Sequence, residues 1–200
     1  MGFVFSHFFF QTSFATTATT IVSGAMAERT KLSAYMIFSF LNTLVFAFPS
    51  HWMWAKNGWL QRMHVVDIAR AGPVHLVGGV TGFIATIILK PRLGRFEGTA
   101  KKEMGSPTNA ILGLFMLWWG WLGFNCGSTF GITGGKWKLA ARAAVSTVMA
   151  SMGGGTVGLL ISYITEKRRF EVGHLIFSVL GALVSVTSMC ALARPWEGLL

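Results

Sequence analysis

Six stretches free of Asp, Glu, Lys and Arg divide the chain: 1–27, 32–55, 71–89, 104–135, 143–165 and 172–193. Each is about long enough to cross a hydrocarbon core of roughly 30 Å as a helix. The pattern predicts an all-α fold, a polytopic membrane helix bundle of about six transmembrane helices, with spans at approximately 4–27, 32–55, 68–90, 109–131, 139–165 and 172–193. The links differ in character. Segments 28–31 and 166–171 are tight charged turns, whereas 90–108 is long, basic and studded with Gly and Pro, the natural hinge between two halves. No tandem repeat of identical residues is visible, although an inverted structural repeat leaves little sequence trace.

Composition agrees with a bilayer as the solvent. With 52% hydrophobic and 12% charged residues, a soluble domain could not cover its own surface. The first run carries no basic leader region and ends in no small-residue cleavage site, so it reads as a span rather than a signal peptide. The net charge of +10 would suggest nucleic acid in a soluble protein. Here the basic residues sit between spans and act as topology signals, and no nucleic-acid partner is expected. With the N-terminus outside, ten basic residues (Arg29, Lys31, Lys90, Arg92, Arg95, Lys101, Lys102, Lys167, Arg168, Arg169) face the cytoplasm, against seven outside. Cys126 and Cys190 lie inside apolar runs and read as small packing residues. Gly78 with Gly82, Gly123 with Gly127, and Gly154 with Gly158 follow small-xxx-small spacing, which lets helix backbones approach closely where lipid removes the hydrophobic force between helices. The triplet Gly153–Gly155 could instead loosen its helix.

Chemistry must come from the few polar groups near the spans. Asp67 stands two helical turns before His75, where it can cap a helix N-terminus. His75 lies within a span; such a group either lines a pathway or is a neutral histidine bonded to a carbonyl. His7, His51, His64 and His174 lie nearer span ends and read as interfacial. Trp121, Phe124 and Ser128 share one helical face at i, i+3 and i+7. Phe10 and Phe14 are one turn apart with Gln11 beside them, and Trp54 ends the second span. An aromatic belt accounts for these residues, and so does a cation site in which ring faces and a hydroxyl hold a small cation. No metal site is expected, nor any cofactor: haem between helices would need two histidines at matching depth, and His75 and His174 form the available pair. No nucleophile–base pair or nucleotide-binding loop suggests an enzyme.

The strings FFFQTSFATTATTIVSGAMAERT, SHWMWAKNGWL, DIARAGPVHLVGG, GWLGFNCGSTFGITGGKWKLAARAA and GALVSVTSMCALARPWEGLL together resemble the ammonium transporter family, related to Rhesus glycoproteins. The blocks occur in the family's order and cover nearly the whole chain, in the style of its animal members. The resemblance implies ammonium or ammonia as substrate, a homotrimer in the plasma membrane, and roles for individual residues. Phe14 and Phe124 match the two stacked phenylalanines of a gate. Trp54 and Ser128 match the aromatic wall and hydroxyl of an outer recruitment site, with Phe14 at its floor, Phe10 and Gln11 beside the vestibule, and Asp67 as electrostatic support for the cation. His75 matches the first of two histidines lining an apolar conduit, so that ammonium would be recruited, lose its proton and pass as ammonia, with the proton relayed separately.

Departures accompany the resemblance. The chain corresponds to the third to eighth spans of an eleven-helix fold, and the second pore histidine has no counterpart in it. Arg70 stands where the family usually has glycine. The alternative reading is a truncated, non-transporting subunit that regulates or joins full-length oligomers.

Overall fold

The computed structural model describes residues 2–99 and 104–199; Lys101 and Lys102 of the basic loop lie outside the described residues. Those residues are all-helical, with no strand among them. The helices are α1 (Gly2–Met26), α2 (Leu32–Trp54), the short α3 (Trp59–Arg62), α4 (Val77–Leu89) entered through a π-helical turn (Ala71–Leu76), α5 (Pro107–Gly127), α6 (Lys136–Thr165), α7 (Val172–Thr187) and the short α8 (Pro195–Leu199). Among the described residues four segments are long and apolar enough to cross a membrane: Leu32–Arg62, Ala71–Leu89, Pro107–Gly127 and Lys136–Thr165. α1 has the length, at 25 residues, but is rich in Thr and Ser, and α7 is apolar but only 16 residues long. Large side chains point outward along the helices, among them Phe9 at 78% and Trp119 at 76% exposed. Such a surface is stable against lipid rather than water. The protein is a multi-pass membrane protein.

The chain divides into two compact units, Met1–Val65 with Gly72–Glu103, and Val66–Ala71 with Met104–Leu200. In the first, α1 packs against α2 and α4. The hydroxyls of α1 are hidden by its own backbone: Thr12 donates to the Phe8 carbonyl at 2.8 Å, Ser13 to Phe10 at 2.7 Å, and Thr17 to Ser13 at 2.7 Å. A hydroxyl bonded back to its own helix leaves no unmet donor facing hydrocarbon, so a Thr-rich helix remains compatible with a bilayer. α1 and α2 are joined by the buried Asn42 amide, which donates to Thr19 Oγ1 at 3.1 Å, and by Tyr35, which donates to the Thr19 carbonyl at 3.3 Å. α4 runs parallel to α1 in close contact. A Cβ on Gly78 would stand 2.9 Å from Ile21 Cβ and 3.0 Å from the Ala18 carbonyl, and Gly82 faces Val22 and Ala25 one turn on.

In the second unit α6 packs against α5, α7 and α8. The α6–α7 contact is again made by glycine: a Cβ on Gly154 would lie 2.6 Å from both Ala182 Cβ and the Ser178 carbonyl, and one on Gly158 would lie 2.6 Å from Ser178 Cβ. Gly123 and Gly127, by contrast, have nothing within 4 Å of the same position. The triplet Gly153–Gly155 lies inside unbroken α6, so it is a packing surface and not a loosened turn. α5 starts at the Ser-Pro pair: Ser106 Oγ accepts the Asn109 N–H at 3.3 Å and Pro107 occupies the first turn, where its missing donor is not needed. The charged turn after α6 is stapled by Ser162, whose hydroxyl donates to the Arg169 carbonyl at 3.1 Å and accepts the Glu171 N–H at 2.7 Å.

Candidate functional site

In the first unit the candidate residues lie on α1, at the end of α2 and in the turn leading into α4. Phe14 is 1% exposed and begins a stripe with Ala18 and Val22, both fully buried, along the α1 face that meets α4. Phe10 packs against it one turn earlier with the rings tilted, centroids 4.6 Å apart at 53°. Gln11 points instead to His7, its Nε2 lying 3.3 Å from His7 Nε2. Trp54 is the last residue of α2 and is half-buried. The chain reverses just beyond it so tightly that a Cβ on Gly58 would collide with the carbonyls of His51 and Trp52. Glycine is required there by close backbone approach.

His75 is buried within the π-helical turn. Pro73 sits in the first turn of that segment, where a missing N–H is tolerated, and the wider π geometry shifts side chains relative to a continuous α-helix. Gly78 opposite Ala18 and Ile21, and Gly82 opposite Val22 and Ala25, define a parallel register between α4 and α1. Carried back one turn, that register puts the His75 turn level with Phe14. The gate candidate and the pore candidate of this unit therefore share one packed helix pair.

In the second unit Asp67, Phe124 and Ser128 are fixed separately. Asp67 Oδ1 accepts the Ala71 N–H at 2.8 Å, a capping contact at the entry to the π-helical turn. The backbone around it is clamped to the end of α7, with Ile68 N–H donating to the Ser188 carbonyl at 2.8 Å and Ala69 N–H to Thr187 at 3.2 Å. Ser128, 2% exposed, closes α5 and donates to the Phe124 carbonyl at 2.8 Å, leaving its oxygen lone pairs as the acceptor capacity of the site. Phe124 lies against Trp121, ring centroids 6.2 Å apart at 45°.

Sequence reasoning did not single out the polar clamps that hold this face of α5. Trp121 Nε1 donates to Thr187 Oγ1 at 2.8 Å, and the Thr187 hydroxyl in turn donates to the Leu183 carbonyl at 2.6 Å. Asn125, fully buried, donates to Thr147 Oγ1 at 2.9 Å, and Thr147 in turn donates to the Ala143 carbonyl at 2.6 Å. These bonds fix the rotation of α5 against α7 and α6 on either side of Phe124. The readable signal was an Asn within an otherwise apolar run, a residue that needs a buried partner. His174 lies at the start of α7, where its Nδ1 is 3.4 Å from Glu171 Oε2. Among the described residues no group of three or more His, Cys, Asp or Glu side chains could hold a metal.

Comparison with known proteins gives one consistent result. The sequence model of the Ammonium Transporter Family matches residues 1–200. A candidate ammonium transporter 3 of Caenorhabditis elegans is 52% identical over 198 residues, an alignment covering 99% of this chain and 29% of that protein. Among solved structures, Saccharomyces cerevisiae Mep2 superposes with a TM-score of 0.85 at 30% identity, covering 94% of this chain and 41% of Mep2. A structure described as a sensor Amt protein gives 0.87 at 32% identity, covering 97% of this chain and 49% of the other. The chain thus spans less than half the length of each of these relatives.

Proposed function

Because the chain belongs to the ammonium transporter family, we propose that it serves ammonium transport across a membrane, recruiting the cation at an aromatic outer site and passing ammonia through an apolar conduit. The observation that carries the reading is the family match over all 200 residues. The physical logic is desolvation. A charged ammonium cannot cheaply leave water for a narrow apolar passage, whereas neutral ammonia can. Potassium has no proton to lose, so the same passage rejects it.

Roles follow within each unit. In the first, Trp54 offers a ring face to the cation, Phe14 with Phe10 and Gln11 beside it forms the outer part of the gate, and His75 lines the conduit at the Phe14 level. In the second, Ser128 supplies an acceptor oxygen, Asp67 favours a cation, and Phe124 is the inner gate ring on the helix that the Trp121 and Asn125 clamps hold. The proton released on recruitment travels separately through polar groups. Assembly is as a homotrimer in the plasma membrane.

The test is uptake of labelled methylammonium by cells expressing the protein, with and without His75→Ala. Loss of uptake with normal surface abundance is expected. Uptake unchanged by the substitution would remove His75 from the conduit.

A further inference from the structure

Arg70 has a backbone that favours glycine, at φ +74°, yet carries one of the longest side chains, and that side chain is 3% exposed. A buried arginine in left-handed backbone needs compensating contacts. Two are present within the second unit. Its guanidinium carbon lies over the Phe130 ring, 6.0 Å from the centroid, and Asp67, three residues earlier on the same clamped segment, supplies an opposite charge that works against the cost of burying the guanidinium. Phe130 is also held in left-handed backbone, at φ 57°, with Lys136 Nζ donating to its carbonyl at 3.1 Å. The clamp of Ile68 and Ala69 onto Ser188 and Thr187 fixes the backbone that bears both Asp67 and Arg70.

A carboxylate with an aromatic face nearby is the environment a small cation seeks. Here the chain already supplies that cation, tethered three residues from the carboxylate. A tethered charge competes at a high effective concentration that a dissolved ion must exceed. We propose that Arg70 is an affinity-setting residue: an internal cation that satisfies Asp67 and so raises the ammonium concentration at which the outer site fills. The inference rests on the proposed role of Asp67 in favouring ammonium.

The test is calorimetric titration of the purified protein with methylammonium, for the wild type, Arg70→Gly, Arg70→Asn and Arg70→Lys. Gly and Asn both accept left-handed backbone, so these variants remove the charge without straining the backbone at that position. Both are expected to bind at least fivefold more tightly than wild type, and Arg70→Lys, which restores a cation, to return the affinity toward wild type. A melting-temperature cycle over Asp67→Asn and Arg70→Gly supplies a readout that needs no ligand, and non-additive shifts are expected. Additive shifts overturn the pairing on which the proposal stands. Equal affinity in all four proteins overturns the proposal and leaves the ammonium reading intact. Binding by none of them, with the cycle still non-additive, refutes the ammonium reading and the proposal together.

Discussion

Gly154 and Gly155 are adjacent, share one helix and carry the same residue, yet replacing each by alanine should move stability in opposite directions. A Cβ at 154 meets Ala182 Cβ and the Ser178 carbonyl oxygen at 2.6 Å, whereas one at 155 meets Val179 Cγ2 at 3.5 Å and Leu175 Cδ1 at 3.7 Å, ordinary van der Waals separation. To restore contact at 154, α6 and α7 must part by the better part of an ångström. The obstructing atom is a backbone carbonyl of α7, which cannot rotate away as a side chain would. Overpacking of this kind typically costs about 1–3 kcal/mol. Glycine to alanine inside a helix returns up to about 1 kcal/mol of propensity. Gly154→Ala is therefore destabilising by up to about 2 kcal/mol once the full propensity gain is subtracted, and Gly155→Ala is neutral or stabilising. The assay is thermal unfolding in detergent, followed by near-ultraviolet circular dichroism, on the two variants and the double variant. If Gly154→Ala melts at or above the wild-type temperature, close glycine-mediated packing of α6 on α7 is refuted.

Other substitutions test separate links. Asn42→Ala removes the buried bond to Thr19 and should lower stability by about 1 kcal/mol, within the range for interhelical hydrogen bonds in membranes; an unchanged melting temperature would mean that α1 and α2 are held by packing alone. Ser162→Ala deprives the Glu171 N–H and the Arg169 carbonyl of their common partner, so limited trypsin digestion at Lys167–Arg169 should quicken severalfold, as loss of about 1 kcal/mol of local stability implies. Thr147→Val leaves the Asn125 amide without its acceptor, and methylammonium uptake should fall while surface abundance holds, because one of the two bonds holding α5 beside the proposed gate residue Phe124 is lost; uptake equal to wild type would detach that bond from the proposed gate.

Helical class and membrane character were legible because charge is excluded from hydrocarbon, and gaps between charges therefore mark segments that lipid will accept. The ends of those segments were not, since a run without charge need not be helix throughout. α7 stops at Thr187, although no charge appears until Arg194, because the carbonyls of Thr187 and Ser188 are taken by Ala69 and Ile68. α5 stops at Gly127 because Phe130 and Gly131 adopt positive φ. The small-xxx-small spacing was equally incomplete as a guide. Gly78, Gly154 and Gly158 sit against a neighbouring backbone, while Gly123 and Gly127, with the same spacing, face open space. Spacing identifies a face but not what covers it. Within the candidate site, residue types were readable, and their fixation was not. The handedness of the Arg70 backbone and the partners of Asn125 and Trp121 depend on segments distant in sequence, so no local pattern encodes them.

The most direct test of the central claim is ammonium flux into proteoliposomes containing the purified protein and a pH-sensitive dye. An imposed inward ammonium gradient should change internal pH faster than in protein-free liposomes, methylammonium should compete, and an equal potassium gradient should have no effect. A response to ammonium no faster than that of empty liposomes would contradict transport by this chain. If co-reconstitution with a longer family member then altered that member's flux, the non-transporting subunit would be the correct account.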